Sequence, residues 1–136
     1  MGDWIPKVDE LAVELRHGTF AATQAGRTVT VTRVTPSLIV TDDGERYNRF
    51  SHRPYSEGPS SNRELVSASD PRVLVARGHA LIGAVAQTAE NLAKLDHRSV
   101  EDVMAALSEI LMSTSVARQS VTQMMTAATA AEQARG

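Results

Sequence analysis

Residues 99–132 read SVEDVMAALSEILMSTSVARQSVTQMMTAATAAE. Within them Val100, Val103, Leu107, Ile110, Thr114, Ala117, Val121, Met124, Ala128 and Ala131 follow one another by steps of three and four. Such spacing holds one stripe of a helix toward one partner. Ser99 with Asp102 three residues on resembles a capping box and marks the start. An unbroken helix here spans about 50 Å at 1.5 Å per residue. Ser113-Thr114-Ser115 is its weak point, because hydroxyl side chains compete for backbone hydrogen bonds; a continuous rod and one broken near Thr114 both remain open. The tail from Ala130 is expected to fray. A stripe of this length exceeds what a small domain can cover, so it asks for a second helix, a second copy of the chain, or another protein.

Working back from this stretch, Asp70-Pro71 opens an earlier helix, with Asp as N-cap and Pro in the first turn. It runs to about Leu95, and Asp96-His97-Arg98 makes a tight connection. Leu74, Leu81, Val85 and Leu92 of this helix, with Val103, Leu107, Ile110, Val121 and Met124 of the next, form the expected oligomer interface. Ala76, Ala80, Gly83 and Ala84 form a row of small residues predicted to admit another helix closely. Met104, Leu111, Met112 and Met125 add adaptable apolar surface.

The first half has a different period. Residues 6–17 suggest a short amphipathic helix: Pro6 in the first turn, Asp9 and Glu10 near its start, Ile5, Val8, Leu11, Ala12 and Leu15 on one side, Gly18 as the stop. Trp4 and Ile5 are expected to pack back onto it. Thr28–Val34 then alternates polar and β-branched residues with period two, a strand signal. Thr35-Pro36 breaks it, Ser37–Thr41 is a second strand, Asp42-Asp43-Gly44-Glu45 a hairpin turn, and Glu45–Phe50 a third strand. Residues 51–62, SHRPYSEGPSSN, read as loop, long enough to be mobile or functional. Residues 64–67 return as a fourth strand.

Composition narrows the function. The chain has 136 residues, net charge −2 and no cysteine, which excludes disulfides and thiolate metal sites. Charge is uneven. Residues 24–77 carry eight arginines against six carboxylates, whereas the segments on either side are each net negative. Met1-Gly2-Asp3-Trp4 lacks the basic flank and apolar run of a signal peptide, and no apolar run is long enough for a bilayer; a cytoplasmic protein is the expectation. His17, His52, His79 and His97 show no chelating spacing. No nucleophile elbow accompanies the serines around His52, and no glycine-rich phosphate loop occurs. The acids at 42–45 read as a solvated turn. No catalytic residue, metal ligand or cofactor is expected. Arg33, Arg46, Arg49 and Arg53 with Tyr47 are the candidate nucleic-acid contacts, since Arg and Tyr on a small sheet can bind phosphates and stack on bases.

The stretches TVTVTRVTPSLIVTDDGERYNRF (28–50) and RELVSASDPRV (63–73) resemble a small β module of uncharacterised accessory proteins from actinobacteria and their phages. The resemblance covers residues 28–74. It implies a small β-sheet entering a helix and a phage or phage-derived accessory role, with no catalytic residues to carry over.

The fold expected is α+β: a short N-terminal helix, a three- or four-stranded antiparallel meander, and a long C-terminal helical hairpin joining an oligomeric bundle. Residues 1–68 form the first unit and 69–136 the oligomerisation region. The function expected is a non-enzymatic interaction protein, homo-oligomeric, with a host protein as a plausible partner and no membrane. A nucleic-acid-binding module and a virion structural or assembly component are the alternatives.

Overall fold

In the computed structural model, residues 4–135 are described; the expectation placed on Met1-Gly2-Asp3 lies outside them. Five strands precede two helices: β1 (Leu11–Arg16), β2 (Gln24–Val34), β3 (Leu38–Thr41), β4 (Arg46–Asn48), β5 (Arg63–Ser67), α1 (Pro71–Ala93) and α2 (Val100–Arg135). The strands form one sheet in the order β4-β3-β2-β1-β5, each neighbouring pair antiparallel.

The expected N-terminal helix is absent, and β1 stands in its place. The reason is position in the sheet. Leu11-Ala12-Val13-Glu14-Leu15 pairs with β2 along one edge and β5 along the other, which makes it a central strand, and each of its faces meets an apolar core. A central strand of this kind reads as a near-continuous apolar run, and that run also fits a helical stripe. Ala12 joins one core with Val29, Val31, Ile39, Tyr47 and Leu65. Val13 and Leu15, on the opposite face, join a second with Val66 and Val73. Trp4 packs against the first core and donates its indole N–H to Glu10 (2.7 Å), while Ile5 is exposed.

The sheet curls until its edges are bridged. Residues 52–55 lie between β4 and β5. The Asn48 and Tyr55 N–H groups donate to the Arg53 and Arg46 carbonyls, and Leu65 N–H donates to His52, each at 2.8 Å. Pro54 is buried opposite Tyr47. The first core is therefore the inside of a small barrel, and the second lies between its outer face and α1. The segment 51–62 forms no regular element, as expected from its composition, but residues 52–55 within it tie β4 to β5 and cover part of both edges. The tight turn does fall at 42–45, with Gly44 at φ 82°.

Asp70 caps α1 as read from sequence: its carboxylate accepts the Arg72 N–H at 2.9 Å. Val73 and Ala76 seat the first turns on the sheet. Ser99 Oγ accepts the Asp102 N–H (3.1 Å), and the Asp102 carboxylate accepts from Arg98 rather than Ser99 (3.2 Å). α2 is continuous through Ser113–Ser115, because Thr114 donates its hydroxyl to the Ile110 carbonyl (2.9 Å) without displacing the helical bond. It also stays helical from Ala130 to Arg135, where fraying was expected. Its end returns to the barrel, with Ser69 Oγ 3.0 Å from Glu132. The row Ala76, Ala80, Gly83, Ala84 is not the helix–helix seam. Ala76 packs on the sheet, the other three are exposed, and α2 passes Gly78, whose nearest neighbour across the seam is Val121.

Candidate interaction surfaces

Three groups of side chains outside the apolar cores carry chemistry. At one mouth of the barrel, Glu14 points inward from β1 as the alternation requires. It accepts the Tyr47 hydroxyl at 3.0 Å and the Arg63 Nε–H at 2.7 Å. Arg63 also pairs with Glu57 and, at 3.4 Å, with Glu45. Burial pulls the Arg63 guanidinium down, but hydrogen bonds to Glu14 and Glu57 outweigh it and hold its pKa above the ordinary arginine value. Burial, then the charge of Glu14, pushes the Tyr47 phenol well above its ordinary 10. The groups saturate one another, which makes this a clamp across β1, β4, β5 and the 52–62 segment.

A second cluster ties the β1–β2 loop to α1. His17 Nε2 lies 2.9 Å from Glu64 and Nδ1 lies 3.3 Å from Thr23 Oγ1. Arg72 reaches Glu64 at 3.2 Å and Asp70 at 3.0 Å. Burial raises the pKa of Glu64, and hydrogen bonds from His17 and Arg72 more than reverse this, leaving it below the ordinary carboxylate value. His52 packs edge-on to Trp4, and His79 is exposed. No group of three or more His, Asp or Glu suited to a metal ion occurs among the described residues.

Of the candidate nucleic-acid contacts, Arg33 and Arg46 share one cross-strand row, while Tyr47 and Arg53 serve the barrel. Tyr47 is 2% exposed, with its ring inside the barrel, so it cannot stack on a base. Arg53 donates to the Ser61 and Arg63 carbonyls (3.0 and 3.3 Å) and serves the tie. Arg33 and Arg46 are exposed and Arg49 is half-buried. Tyr55, which follows the arginine cluster in sequence, lies with its ring centroid 5.7 Å from the Arg46 guanidinium. The bridge between Tyr47 and Pro54 places it there, and nothing local in SHRPYSEGPSSN signals that pairing.

The third group is the hairpin. The expected interface residues Leu74, Leu81, Val85, Leu92, Ile110, Val121 and Met124 are half-buried where α1 meets α2, whereas Val103 and Leu107 are exposed. Beside this seam runs a second apolar stripe. On α1 it comprises Val75, Ile82 and Ala86. On α2 it follows Val100, Met104, Leu107, Leu111, Thr114 and Arg118 by steps of four and three, and resumes at Met125 beyond the seam residue Val121. Ile82 and Leu111 are each 68% exposed. Between the helices lies a groove of about 800 Å³, floored by Leu74, Gly78, Leu81, Val85, Ala117 and Val121. No helix among the described residues is long and apolar enough to cross a membrane. Compared with known protein families, curated proteins and solved structures, the chain matches none.

Proposed function

We propose that this chain is a non-enzymatic accessory protein that self-associates through its helical hairpin, two copies joining as a four-helix bundle. The observation that carries this reading is that no described side chain of α2 is buried, although the helix runs 36 residues and bears Val100, Met104, Leu107, Leu111 and Met125 in one exposed stripe. Contiguous apolar surface of this kind marks an association site. Steps of three and four suit a helix as its cover, and Arg118 is the only charged residue named within the stripe. A two-fold contact also asks the same face of both partners, which a self-complementary apolar face supplies. A phage-derived role in the cytoplasm, with a host protein as further partner, is part of the proposal and rests on the resemblance in residues 28–74.

Sedimentation equilibrium of the whole chain tests it. A dimer is expected at about 100 μM, where any micromolar Kd leaves dimer dominant. The double substitution Leu107→Glu, Leu111→Glu is expected to give a monomer that still unfolds cooperatively, since both side chains are exposed in the single chain and the barrel cores lie elsewhere. A wild-type monomer at that concentration overturns the reading.

A further inference from the structure

We propose that the outer face of β2, β3 and β4 is a separate binding site for single-stranded nucleic acid, built on Arg33, Arg46 and Tyr55. Register places them together. Arg33 pairs with Val40, Val40 with Arg46, and the Tyr47–Pro54 bridge sets Tyr55 beside Arg46. Paired residues point to the same side of a sheet. Val34, Ile39 and Tyr47, the adjacent cross-strand row, are turned into the barrel, so this row faces out. At the usual strand separation it extends about 14 Å.

Charge favours an anionic ligand. Three of the four carboxylates of the nearby turn and tie are paired with other arginines: Asp43 with Arg27 at 3.5 Å, and Glu45 and Glu57 with Arg63. Asp42, which accepts the Thr30 N–H, keeps its charge and offsets part of the field. Arg33 and Arg46 have no carboxylate within ion-pair distance among the described residues. The Arg46 guanidinium lies 5.7 Å from the centroid of the exposed Tyr55 ring, within cation–π range. Bases stack on aromatic rings and on guanidinium planes. An acidic polypeptide matches the charge but leaves the exposed Tyr55 ring unused, and a duplex hides its base faces. The site uses none of the hairpin residues invoked above.

Fluorescence anisotropy of a labelled single-stranded oligonucleotide with the full chain tests this. Two phosphate contacts predict affinity falling about sevenfold between 50 and 200 mM salt, at a log–log slope of about −0.7 per contact. Arg46→Ala is expected to weaken binding and reduce that salt effect to about two- to threefold. Tyr55→Ala is expected to weaken binding without changing the salt slope. Sedimentation of both variants should match wild type, which separates failure here from failure of self-association. Absence of binding at low salt overturns the proposal. So does undiminished binding by a folded Arg33→Ala, Arg46→Ala variant, or binding of polyglutamate as tight as that of the oligonucleotide.

Discussion

Replacing Gly78 by alanine should stabilise the protein, although Gly78 sits where the two helices cross. A small residue at such a crossing ordinarily suggests that no side chain fits. Here a Cβ added at Gly78 meets nothing nearer than the Val121 methyl at 4.0 Å, an ordinary van der Waals separation. Glycine in a helix interior costs about 0.8–1.0 kcal/mol relative to alanine. The added methyl, half-covered by Val121, contributes a few tenths more. The net gain is about 1 kcal/mol, or about 3 °C in melting temperature for a chain of this size. Scanning calorimetry at one fixed protein concentration measures it, because the proposed association would make the midpoint concentration-dependent. Gly18→Ala is the opposing control. Its Cβ would stand 2.7 Å from the Ala21 carbonyl oxygen, a backbone atom, and overpacking of that kind costs about 1–3 kcal/mol. A lowered midpoint for Gly78→Ala would refute the reasoning and show that α1 and α2 approach more closely than this geometry allows.

The clamp inside the barrel makes stability sensitive to alkali. The folded Tyr47 pKa is raised above 10, so its contribution is complete below pH 10 and is lost as the pH climbs past it. Phenolate absorbance from Tyr47 should therefore appear only as the barrel's circular dichroism is lost, and Tyr47→Phe should remove that coupled step while costing about 1 kcal/mol at neutral pH; titration of Tyr47 near pH 10 in the folded protein would contradict this. Glu64 behaves in the opposite sense. Its folded pKa lies below the ordinary 4.5, so its contribution is present above that value and lost as pH falls through the folded one. Urea midpoints between about pH 3 and 6 should fall less steeply for Glu64→Gln than for wild type, and identical slopes would show that His17 and Arg72 do not favour the carboxylate.

The elements legible in the sequence are those that local chemistry determines. Asp70-Pro71 starts α1, Ser99 and Asp102 start α2, and Asp42-Asp43-Gly44 turns β3 into β4, because caps and turns are set by a few adjacent residues. β1 was misread for a physical reason. Its apolar residues serve two cores on opposite faces, so no period-two alternation marks it. Tyr47 looked like a surface aromatic because it stands between Arg46 and Asn48; only the barrel's closure shows that it is the inward residue of that strand. The role of Arg63 escapes the sequence on the same ground, since its partners Glu14, Glu45 and Glu57 are brought to it by the fold rather than by adjacency along the chain. On α2 the stripe was found, but its division into a seam and an open flank depends on where α1 lies.

The distribution of burial bears on how the two proposed surfaces would cooperate. The described buried side chains end at Ala76, so the barrel and the first turns of α1 hold both cores, and beyond them the hairpin has only its half-covered seam. Helical structure in water depends mainly on tertiary packing of an apolar face. Association would supply that packing and stabilise the hairpin by mass action. α1 rests on the barrel over Val13, Leu15 and Val66 of β1 and β5, whereas Arg33, Arg46 and Tyr55 lie across β2, β3, β4 and the tie. Pairing through the hairpin therefore leaves the arginine face of each copy uncovered. One such face with two phosphate contacts binds weakly. Two faces joined through a bundle make the second contact intramolecular, and avidity then rises without any new side chain at either site. The hairpin would thus set the strength of a site to which it contributes no residue.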